Sequence, residues 1–99
     1  MKQINMMKNL IKKFNMLSEY VESNGSNCDW KSVQVNLSIL IEDVESLITT
    51  LRKDDNLYEK LQEVYFKLET ISNMLTEKKY NVHERISDIK HFIDTYFYE

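Results

Sequence analysis

From Trp30 to Leu51 the apolar residues return every three or four positions. Trp30, Val33, Leu37, Leu40/Ile41, Val44, Leu47/Ile48 and Leu51 hold this alternation for about six turns. A strand alternates every second residue and is seldom so long, so the pattern is helical. Three further segments repeat it. The first carries Ile4, Met7, Ile11, Phe14, Leu17 and Val21, with Leu10 beside them. The third carries Leu57, Leu61, Val64, Leu68, Ile71 and Leu75, and the fourth Val82, Ile86, Ile89, Ile93 and Tyr96. Each set forms one apolar stripe on a helix. Turn residues are scarce: Pro is absent and the single glycine is Gly25. A chain that must reverse several times with so few breakers is helical between its reversals.

The breaks carry helix-end chemistry. Asn24-Gly25-Ser26-Asn27 interrupts the first stripe, with Gly25 where a left-handed C-cap belongs. Ser26 with Asp29, Asn56 with Glu59, and Asn81 with Glu84 have the spacing of cap-and-return pairs. Lys78 and Lys79 fit the negative end of the third helix. Short links make consecutive helices antiparallel neighbours. The sequence therefore predicts one all-α domain over residues 1–99, an antiparallel up-down-up-down four-helix bundle with helices at about 2–23, 29–53, 57–79 and 82–98.

Charge narrows the partners. The net charge is −3, but residues 1–24 set four lysines against Glu19 and Glu22, whereas residues 54–79 set six acids against four lysines. An acidic chain without a dense basic stripe is a poor ligand for phosphates, so no nucleic acid is expected. No apolar run is long enough to span a bilayer. The lone Cys28 cannot form an internal disulfide, which points to a reducing, cytoplasmic setting.

Catalytic and metal chemistry find little to stand on. A di-iron bundle needs inward carboxylates and histidines, and the inward positions here are apolar. Glu84, Asp88 and His91 share an outward face of the fourth segment, where three ligands from one helix make a poor metal site. One glycine cannot build a phosphate-cradling loop, and no cofactor is expected. Cys28 lies near a helix N-terminus, which would lower its thiol pKa, but no histidine is close in sequence. The chain is expected not to be an enzyme.

Residues that contradict their own helix remain. Val35 and Ile39 fall opposite the stripe of the second segment, and Phe66 opposite that of the third. Tyr58 and Tyr65 flank the third stripe on the side leading to Phe66. Met16, Tyr20 and Tyr98 also lie off their stripes. Aromatic residues and Met concentrate at protein interfaces because they bury much area while freezing few torsions. Val35, Ile39, Tyr58, Tyr65 and Phe66 are therefore the expected partner-binding residues, with a protein as partner and a homodimer as the alternative. Phe92 and Phe97 sit at the core edge and read as packing.

Two resemblances give that expectation a biological form. The stretch Leu61 to Glu69, LQEVYFKLE, looks like helix sequence in the immunity proteins of lactic-acid-bacterial bacteriocins, which are small cytosolic four-helix proteins of about this length. It implies an immunity-type binding protein. By size and charge the chain is also similar to phage-encoded inhibitors of host enzymes. It lacks the Trp-x-Gly signature of one group of helical toxin partners, since Lys31 and Ser32 follow Trp30. Separately, Arg85-x5-His91 resembles the Arg-x(4–6)-His pattern of HEPN ribonucleases. That resemblance would imply metal-independent RNA cleavage by Arg85 and His91 across a dimer. The expected function is binding of a partner protein as an immunity, inhibitor or toxin-partner module. A self-associating bundle and an RNA-cleaving toxin are the alternatives.

Overall fold

A computed structural model describes residues 2–97, with side chains from residue 5 onward. The side chain of Ile4 and the whole of Tyr98 lie outside the described residues. Four α-helices are present among these residues: α1 (Lys2–Asn24), α2 (Trp30–Ile48), α3 (Asn56–Thr76) and α4 (His83–Tyr96). A single 3-10 turn, Gly25–Asn27, links α1 to α2. The helices contact in a ring, α1 with α2, α2 with α3, α3 with α4 and α4 with α1. This is a four-helix bundle.

Side-chain contacts across the three consecutive pairs run in opposite senses along the chain. Gln34, early in α2, donates to Thr76 Oγ1 at the end of α3 (2.9 Å), while Glu45, late in α2, accepts from Tyr65 in mid-α3. Between α3 and α4, Lys60 lies over the Tyr96 ring at 4.8 Å and Lys67 over Phe92 at 5.6 Å. Between α1 and α2, the Asp29 amide donates to Tyr20 Oη (2.9 Å), and Lys13 pairs with Asp43 (2.8 Å).

The core is the sum of the four stripes. Leu10, Phe14, Leu17 and Val21 of α1 meet Val33, Leu37, Leu40, Val44 and Leu47 of α2. The equivalent stripes of α3 and α4, with Val82, complete it. Met7, Trp30, Leu57, Phe92 and Phe97 pack against its edge. Tyr96 departs from expectation: it is exposed, its ring tilted against Phe92 at a centroid distance of 4.7 Å, and Phe97 takes the core-edge place instead.

The helix ends correct several sequence expectations. Helix α2 stops at Ile48, not near residue 53. The hydroxyls of Thr49 and Thr50 donate to the carbonyls of Ser46 and Leu47 (2.7 Å each), competing with continued helix. Leu51 still packs on the core, but from a turn. The N-caps are not the residues expected. Asp29 itself caps α2, accepting from Ser32 N, and Asp55 caps α3, accepting from Leu57 N at 2.9 Å. No side chain caps α4, whose entry is fixed by the fully buried Val82. Lys78 and Lys79 lie beyond α3. There Lys78 takes φ 61°, its amide reaches Leu75 O, and the Lys79 amide reaches Met74 O. That is a Schellman closure with lysine where glycine is usual. Gly25 does adopt the expected left-handed conformation, φ 55°.

Candidate functional site

The residues around the α1–α2 link show how one end of the bundle is held. Gly25 O accepts from the Cys28 thiol (3.2 Å) and from His83 Nε2 (2.9 Å). A carbonyl only accepts, so the His83 proton resides on Nε2. The Trp30 ring stacks on Tyr80 at 5.1 Å and meets the His83 edge at 5.8 Å. Cys28 is buried, and desolvation raises its thiol pKa, opposite to the lowering its place before α2 implied. It is a packed thiol, less reactive than an exposed one.

A groove of about 420 Å³ opens beside this end, between α1 and α2. Its floor is Leu17 and Leu40, both buried. Its walls are Met16, Tyr20 and Ile39, with Lys13 at the rim. Met16 is 63% and Ile39 41% exposed. The groove exists because α2 turns the short Ser32 and Asn36 towards α1 here. Val35, one turn before Ile39, is exposed on the adjoining outer face of α2. On the far side of Met16 a second hollow, about 390 Å³, is lined by Lys8, Ile11, Lys12, Asn15, Met16 and Glu19.

The other expected binding residues lie elsewhere. Tyr65 packs at the seam between α2 and α3. Its hydroxyl donates to Glu45; that bond, partial desolvation and the charges of Glu45 and Glu69 push its pKa up to about 12. Tyr58 is half-buried and accepts from Gln62 Nε2 at 3.3 Å. Phe66, 63% exposed, meets the Tyr65 edge at 5.9 Å and borders a small hollow of about 160 Å³ with Arg85, Asp88 and Ile89. In a ring of four helices the α1–α2 and α3–α4 grooves are on opposite sides. The five expected residues therefore occupy three places rather than one surface: Val35 and Ile39 by α1, Tyr58 and Tyr65 along α3, and Phe66 towards α4.

Met16 and Tyr20 join Ile39, a grouping the helix-by-helix reading missed. The signal was available. In a hairpin folded about Ser26, Tyr20 is as far from the turn as Ser32, Met16 as Asn36, and Lys13 as Ile39. All six line the groove.

Helix α4 is unbroken from His83 to Tyr96, so Arg85 and His91 project about 120° apart. Arg85 faces the Phe66 hollow, and His91 is exposed. Among the described residues no group of three or more His, Cys, Asp or Glu is placed to hold a metal ion. None of the described helices is long and apolar enough to cross a membrane. Comparison with protein-family models, curated proteins and solved structures found no match.

Proposed function

We propose that this protein is a non-enzymatic binding module that holds another protein in the groove between α1 and α2. The observation that carries this reading is the gathering of exposed Met16, Tyr20 and Ile39 over an apolar floor. Single exposed hydrophobic residues are ordinary on protein surfaces. A methionine, a tyrosine and an isoleucine around one concavity form the kind of anchor site that dominates binding energy. Immunity protein, inhibitor and toxin partner are the roles that such a module fills, and the single thiol of Cys28 suits the cytoplasm. Phe66, on the opposite side, is a separate and smaller contact point.

The test is Ile39→Asp, alone and with Met16→Asp. Both side chains are exposed, so melting temperature stays close to wild type. Proteins that co-purify with the wild type from the source organism are lost from both variants. Retention of those partners by the double variant overturns the reading. Self-association is the second reading, favoured by exposed apolar residues on opposite sides of the bundle. A single monomeric species in sedimentation across micromolar concentrations removes it.

A further inference from the structure

The charge around the groove indicates what would occupy it. Residues 1–18 contain Lys2, Lys8, Lys12 and Lys13 and no acid, a net of +4. The chain totals −3, so the remainder carries −7. Lys13 is neutralised by Asp43 at 2.8 Å. Lys8 and Lys12 are exposed and form no ion pair among the described residues. Both line the hollow beside Met16, with Glu19 at its other end. An apolar groove and a pair of uncompensated cations thus share Met16 as a common wall, on a protein that is otherwise acidic.

Three kinds of partner carry the matching negative charge: a nucleic acid, an anionic membrane and an acidic protein. A nucleic acid gains little from two free lysines, and the −7 remainder repels it. A membrane needs an apolar helix face to insert, but Leu10, Phe14, Leu17 and Val21 are buried in the core. Met16 and Tyr20 alone offer too little area. A protein helix meets both demands. The groove between two packed helices accepts a third helix through ridge-and-groove contacts, read at three- and four-residue spacing. Carboxylates flanking such a stripe would lie over Lys8 and Lys12.

We propose that the occupant is an acidic amphipathic helix of a partner protein, with its apolar stripe on Met16, Tyr20 and Ile39 and its carboxylates over Lys8 and Lys12. This rests on the protein-binding reading above. Opposite charge at the rim selects the partner and speeds encounter, while the apolar groove holds it.

The test is selection of displayed amphipathic helices on the full-length protein. The library keeps a leucine stripe and randomises flanking positions among Glu, Gln and Lys. Glu dominates the selected flanks. The selected helices bind about tenfold more weakly to the Lys8→Glu, Lys12→Glu double variant, and high salt weakens their binding to the wild type and narrows that gap. They lose binding to Ile39→Asp but not to Phe66→Asp. Circular dichroism checks that every variant stays folded. Selection of Lys-rich or charge-neutral flanks, or of nothing, overturns the proposal. So does binding to phosphatidylserine vesicles by wild type that is unaffected by Ile39→Asp. Charge-neutral selection together with loss of natural partners by Ile39→Asp overturns the acidic helix but leaves the binding groove standing.

Discussion

Helix α2 makes a long contact on each flank, and the two are built differently. Towards α3 it presents long polar side chains that reach across: Gln34 to Thr76 and Glu45 to Tyr65. Towards α1 one side chain reaches across, Asp43 to Lys13, and beside that pair α2 presents Ser32 and Asn36, which are too short to fill the space opposite Met16 and Tyr20. The same inner stripe of Val33, Leu37, Leu40, Val44 and Leu47 supports both seams. Stability therefore comes from a shared interior, while the difference between closed and open seams lies in a few side chains at its margin. A closed seam has its contacts already made. An open one leaves apolar surface in water, where a partner can gain by covering it.

The largest test of that comparison is Leu37→Ala. Leu37 is fully buried beneath both seams, so its truncation costs about 3 kcal/mol in denaturant unfolding. A cost below 1 kcal/mol would mean that the interior is not shared and that the seams are independent. Next comes Lys78→Gly, at the end of the closed seam. It relieves a left-handed lysine and raises stability by about 1 kcal/mol. Asn36→Leu fills the open groove. It adds about 0.5 kcal/mol of stability through new apolar burial and blocks partner binding. Destabilisation by more than 1 kcal/mol would show that the groove is not empty space.

The smallest effect is confined to alkaline pH. Tyr65 has a folded-state pKa near 12, above the ordinary 10. Its stabilising contribution is complete below pH 10 and is lost as pH rises through 12. Tyr65→Phe removes this dependence, so its unfolding free energy falls less steeply than that of wild type between those pH values. Parallel pH profiles for the two proteins would show that the Glu45 contact is not maintained in solution.

The interior was legible because burial has a period. Every apolar residue the sequence placed on the inner faces of α2 and α3 touches or forms the core. The ends were less legible, since several residues at each break have the chemistry to cap. Asp29 and Asp55 won over Ser26 and Asn56 through backbone geometry that spacing does not encode. Two threonines ended α2 early for the same local reason. The candidate site was legible in part. Helix-wheel reasoning finds which residues face outward, as Ile39 and Phe66 do, but places each on its own helix. Bringing Ile39 to Met16 and Tyr20, and separating it from Phe66, requires the register between helices. That register is set by the Gly25 turn and by the packing of buried residues, not by the exposed ones.

The proposed partner-binding surface is the open α1–α2 seam, not the Phe66 side. A photo-crosslinking amino acid placed at position 39, and separately at position 66, tests it in cells of the source organism. A discrete protein adduct is expected from position 39 and none of comparable yield from position 66. Adducts from position 66 alone, or from neither position, would contradict it.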